Sequence, residues 1–164
     1  MDTWRREKFH EGQRRLTPPV LALLPSPLLG RRVWADVAAR LRDTGREVAT
    51  PSARGGTPDE VLATLLDGLA ADRDLVLVPH SNAGLYVPAV AAARRVAGCV
   101  FVDAALPSDA GSTPTAPPAL VQNLRPLAGP DGLLPGWTQW WSGADVAPLF
   151  PSCLLYTSPS PRDS

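Results

Sequence analysis

From residue 18 to about residue 102, short apolar runs alternate with stretches whose apolar positions recur at helical spacing, and this rhythm predicts most of the elements. Val20–Leu24 is a continuous apolar block closed by Pro25, Ser26 and Pro27, as expected of a strand covered on both faces. Val33, Val37, Ala38 and Leu41 then share one helical face, with Gly45 placed to end the helix. Residues 47–50 read as a short second strand. Thr57, Pro58, Asp59 and Glu60 offer an N-cap, a proline at the first helical position and an acid at N3, which together make a capping box. The helix they open should bury Val61, Leu62, Leu65, Leu66 and Leu69. Residues 75–78 predict a third buried strand, 82–95 a helix and 97–102 a fourth strand.

Strand and helix in strict alternation imply an α/β fold: an open, mainly parallel sheet with flanking helices. Right-handed crossovers would bring the loops after Leu24, Val78 and Val102 to one edge of that sheet. The pattern dissolves after Asp103, where residues 107–135 are rich in Pro, Gly, Ser and Ala, broken by a short helical stretch near 120–124. Residues 1–17 are polar and Arg-rich, without apolar period, and read as an extension ahead of the domain.

Composition narrows the function classes. The 164 residues are enough for one domain with a core. Sixteen basic residues balance sixteen acidic ones, so nothing favours nucleic acid or an anionic membrane as partner. No apolar run reaches the length of a membrane-spanning helix. Arg14 and Arg15 ahead of Val20–Leu24 faintly mimic a secretory leader, but the prolines at 18, 19, 25 and 27 argue against one, so a cytoplasmic protein is expected. Cys99, inside an apolar run, reads as a small core residue, and two cysteines make no disulfide framework. No metal-ligand spacing, phosphate loop or dinucleotide fingerprint occurs, so no metal and no cofactor are expected.

The chemistry concentrates at Pro79-His80-Ser81-Asn82-Ala83, where the third strand meets a helix. Ligands of open α/β sheets bind at such carboxyl ends. A serine hydroxyl there is a nucleophile if a base reaches it and an acid orients the base; otherwise Ser81 is an ordinary helix N-cap.

This pentapeptide resembles the nucleophile elbow, Gly-x-Ser-x-Gly, of the α/β-hydrolase family, with Pro79 and Ala83 in place of the two glycines. The strand order and the block Val-Phe-Val-Asp-Ala-Ala-Leu-Pro at 100–107 extend the resemblance over about residues 18–151. It implies ester or amide hydrolysis of a small molecule with an apolar group. Ser81 would be the nucleophile, and the backbone N–H of Asn82 would face the developing oxyanion. A second donor would come from the loop after the first strand, where Leu28 can donate and Pro27 cannot. The family places its acid and then its histidine after the nucleophile, yet no histidine follows Ser81. His80 should point to the opposite face from its neighbour, and His10 lies in the extension. Asp103 matches the acid of one family variant, or else caps its own loop.

Trp137, Trp140 and Trp141, with Leu133, Leu134, Leu149 and Phe150, fall where the resembled fold inserts a cap. That cap-like segment, 107–150, would line an apolar pocket or form a core helix on a sheet edge. The last residues, 153–164, depart in style from what precedes them and resemble a sequencing adapter translated in frame, the other reading being a natural disordered tail. A truncated, α/β-hydrolase-like domain over 18–152, incomplete and inactive as it stands, is therefore expected; the alternative is a non-catalytic binding module, a pseudoenzyme that keeps the scaffold.

Overall fold

A computed structural model of the chain describes residues 17–109 and 112–142. Five strands and four α-helices follow in the order β1 (Val20–Leu24), α1 (Ala35–Asp43), β2 (Val48–Ala49), α2 (Pro58–Asp67), β3 (Leu75–Ser81), α3 (Val87–Ala93), β4 (Val96–Cys99), β5 (Val102–Ala104) and α4 (Pro118–Leu124). Every strand pair is parallel, in the order β2-β1-β3-β4, with β5 continuing along the far side of β3. The α/β architecture is thus an open parallel sheet with helices on both faces.

Side-chain alternation along the central strands divides the core. Val20, Ala22 and Leu24 of β1 and Leu75 and Leu77 of β3 pack with Val61, Leu65 and Leu69 beneath α2, and with Val90 of α3. Leu23 faces the other way, joining Trp34 and Ala38, with Val33, Leu41, Val48 and Val78 partly buried around them. Among the described residues, α1 covers that second face.

Local signals act where the sequence places them. Thr57 Oγ1 accepts from the Glu60 N–H while Glu60 Oε2 accepts from the Thr57 N–H, so the capping box at α2 is complete. Gly45, at φ 78°, ends α1: its N–H donates to the Arg42 carbonyl at 2.8 Å and Arg46 N–H to Leu41 at 3.1 Å, the paired bonds of a Schellman motif.

Several boundaries differ from expectation. The buried stripe of the first helical segment is Trp34, Ala38 and Leu41, while Val37 is 41% exposed; the segment starts with a 3-10 turn, Arg31–Trp34, that rotates its face. The second strand shrinks to two residues. The third runs on to Ser81, through Pro79. The expected fourth strand is two strands, because the chain leaves the ladder between Cys99 and Val102. The helix after Ser81 begins as a 3-10 turn, Asn82–Tyr86, before α3.

Pro79 explains the broken fourth strand. Leu75 N–H donates to Arg95 and the Leu77 carbonyl accepts from Val100, so alternate residues of β3 present their backbone to that side. Pro79 is the next in the series and has no N–H to offer. The break between β4 and β5 falls beside it, and pairing resumes at His80 with Val102.

Candidate active site at the end of the third strand

The serine that ends β3 is held in a conformation that non-glycine residues avoid. Ser81 has φ 54° and ψ −132°. Such a residue costs about 1–3 kcal/mol and persists only where its surroundings impose it. Here the imposing contacts come from the chain just after β5. The Ser81 carbonyl accepts from the Ala105 N–H at 3.0 Å. Gly84 lets that segment approach, since a Cβ on it would lie 2.0 Å from the Ala105 carbonyl oxygen. Ala83 is completely buried beneath the turn. The small residue two places after the serine, and the glycine after that, are therefore packing requirements of the turn.

The sharp turn also breaks the alternation of β3, so Ser81 and Asn82 face a cavity of about 580 Å³ instead of a sheet face. Leu28, Leu120, Trp137, Trp140 and Trp141 contribute to its largely apolar wall. The three tryptophans brace one another, Trp137 edge-on to Trp141 at 5.5 Å and Trp140 tilted on Trp141 at 5.6 Å. Trp140 Nε1 donates to the Pro135 carbonyl at 2.9 Å, which satisfies its polar atom away from the cavity. Trp137 opens a 3-10 turn, Trp137–Gln139, and Trp140 and Trp141 follow directly after it, so the three line the site without forming a core helix. Leu149 and Phe150 lie outside the described residues, as does the 153–164 tail.

The expected oxyanion donors fare differently. Asn82 begins a 3-10 turn, so its N–H has no acceptor within that turn. Leu28 also borders the cavity, but its N–H already donates to the hydroxyl of fully buried Ser26 at 3.2 Å. The Ser26 carbonyl accepts from Leu29 and Gly30 as well. The loop after β1 therefore wraps its N–H groups around Ser26, and Leu28 could serve an oxyanion only by sharing that bond.

Among the described residues, no histidine stands against Ser81. Ser81 Oγ has no hydrogen-bond partner among the described residues. His80 points toward the α1 face, edge-on to Trp34 at 5.9 Å, with Nδ1 buried and unbonded. It does not border the cavity. His10 lies outside the described residues. Asp103 is exposed, at φ 42°, and makes neither an ion pair nor a hydrogen bond among the described residues. It is the extra residue where the β3–β5 register shifts, between the partners of His80 and Ser81. Among the described residues its carboxylate therefore neither caps its own loop nor meets a base.

No protein-family model matches the chain, and no curated protein matches it. Among solved structures, it resembles a variant of tomato methylketone synthase I complexed with beta-ketoheptanoate, at 19% identity and a TM-score of 0.47. The match covers 57% of this chain and 42% of that one, so the chain spans less than half the length of this neighbour.

Other residues settle into structural roles. Cys99 is free and partly buried, and burial pushes its thiol pKa up, which suits a core residue and not a nucleophile. Arg94 donates to the Leu66 and Leu69 carbonyls, at 2.8 and 3.2 Å, and so caps the end of α2 from across the fold. No group of three or more potential metal ligands occurs among the described residues. None of their helices is long and apolar enough to cross a membrane. Sequence reasoning missed Trp34, Gly84 and Arg125. Trp34 was legible as the i, i+4, i+7 partner of Ala38 and Leu41. Arg125 borders the cavity but has no sequence signal, because a fold 44 residues apart brings it near Ser81.

Proposed function

We propose that this chain carries the nucleophile portion of an α/β-hydrolase-type site, with Ser81 attacking the carbonyl of an ester or amide that has an apolar group. The observation that carries the reading is Ser81 itself: strained at φ 54°, at the carboxyl end of a central parallel strand, and facing an apolar cavity. A plain helix N-cap needs no such strain, and Ser81 makes no side-chain capping bond. The N–H of Asn82 is the first oxyanion donor in this reading, and Leu28 the second if it shares its bond with Ser26.

The lack of a base among the described residues bounds the activity in this reading. With no imidazole at Ser81 among the described residues, catalysis falls to what oxyanion and binding contributions supply, on the order of 10³–10⁴ over water. A fluorophosphonate probe, with the adduct mapped by mass spectrometry, tests the assignment. Labelling should fall on Ser81, vanish in Ser81→Ala and accelerate when imidazole is added to stand in for the base. An adduct elsewhere, or undiminished labelling of Ser81→Ala, would overturn the reading. The absence of a described base also favours a second reading, a binding module that retains the elbow without the chemistry. Silence at Ser81 even with imidazole, in a protein whose cavity binds ligand, would decide for it.

A further inference from the structure

Among the described residues, Arg125 is the one charged residue lining the 580 Å³ cavity beside Ser81. It ends α4 and opens the short turn Arg125–Leu127. Its side chain is exposed and has neither ion pair nor hydrogen bond among the described residues. Among the described residues, no acidic residue borders the cavity to compete for it. The rest of the wall, from Leu120 across to the three tryptophans, suits an alkyl chain.

A cation beside an apolar cavity discriminates in two ways. A neutral chain that covers the guanidinium strips its water and returns nothing, which costs binding energy. A chain ending in an anion replaces that water with a charge-assisted, two-pronged hydrogen bond. The volume lies within the roughly 300–1,000 Å³ of small-ligand sites. We infer that this cavity takes an amphiphile whose apolar chain carries a carboxylate, with Arg125 as the residue that selects it over neutral chains. Substrates of Ser81 would then be esters or amides bearing a free carboxylate at a distance from the bond cleaved. This rests on the proposal that the cavity is the substrate site of Ser81.

The test reads binding, not turnover. Tryptophan fluorescence is titrated with octanoate, octyl phosphate and 1-octanol on the full chain, because Trp137, Trp140 and Trp141 line the site. Octanoate should bind about five- to tenfold more tightly than octanol. Arg125→Ala should erase that difference, with octanoate binding weakened, octanol binding no weaker than before and the melting curve unchanged. Arg125→Lys should keep part of the preference, as a point charge without the fork, and Ser81→Ala should keep all of it. Octanoate binding no tighter than octanol, an unaltered preference in Arg125→Ala, or no binding by any probe would overturn the inference. Octyl phosphate binding more tightly than octanoate would overturn the carboxylate and reassign the anion as phosphate. An octanoate preference without labelling of Ser81 would sink the hydrolase proposal alone. Labelling without the preference would sink this inference alone.

Discussion

At the β2 edge of the sheet, the strand is two residues long, Arg42 Nη2 donates to the Val48 carbonyl at 3.1 Å, and Glu47 pairs with Arg73 at 3.0 Å. At the β4–β5 edge, Val100 is 55% exposed and Leu106 67%, with Phe101 and Val102 exposed between them. The first edge is short and covered by charge, which is how natural sheets discourage pairing with other chains. The second is apolar and, among the described residues, has no neighbour. What limits it is the break at Val100 and Phe101, opposite Pro79, which divides its ladder into two short pieces. The same break frees the chain after β5 to come over Ser81, so one edge serves stability and the other serves the site.

The strand between the edges should carry the largest effect. Leu77 of β3 is fully buried, and Leu77→Ala should cost about 3 kcal/mol in urea unfolding through lost burial and the cavity left behind. A loss below about 1 kcal/mol would mean that the core is not centred on β3.

The two glycines on the β4–β5 side should separate next. Gly84→Ala drives a Cβ into the Ala105 carbonyl and should cost about 2 kcal/mol, together with slower fluorophosphonate labelling of Ser81. Gly98, in β4, has nothing within 4 Å of an added Cβ, so Gly98→Ala should stay within about 0.5 kcal/mol of wild type. Equal costs at both positions would remove the distinction between the clamped and the open part of this edge.

Strain at Ser81 predicts a gain. Ser81→Gly should raise stability by about 1 kcal/mol, since glycine occupies positive φ freely, and Ser81→Ala should not. Destabilisation by Ser81→Gly would show that the turn is not strained.

The smallest effect on stability should come at the exposed edge. Val100→Lys should change unfolding by less than about 0.5 kcal/mol yet lower self-association in light scattering at high protein concentration, as edge lysines do. Unchanged scattering would indicate that the broken ladder alone suffices to blunt this edge.

Local chemistry made much of this fold legible. The capping box at Thr57, the Gly45 terminator and the apolar blocks of β1 and β3 act through neighbours within a few residues, so the sequence carries their signal directly. Alternation of strand and helix was enough for the parallel sheet, because crossovers leave few topologies open. Ser81 was legible too, as a serine between a buried strand and a helix.

What tertiary structure decided is of another kind. The split of the fourth strand arises because Pro79, on β3, withholds a hydrogen bond from a chain more than twenty residues later. Val37 turned outward because a 3-10 turn rotated the helix, and periodicity alone carries no absolute phase. Leu28 lost its free N–H to a hydroxyl two residues away, a loop conformation that no pattern of residue types specifies. Arg125 and the tryptophans reached the cavity through chain reversals in a segment without periodic signal. Bonds between near neighbours determine elements, and these are written in the sequence; which side chains meet at a site depends on how those elements close on one another in space.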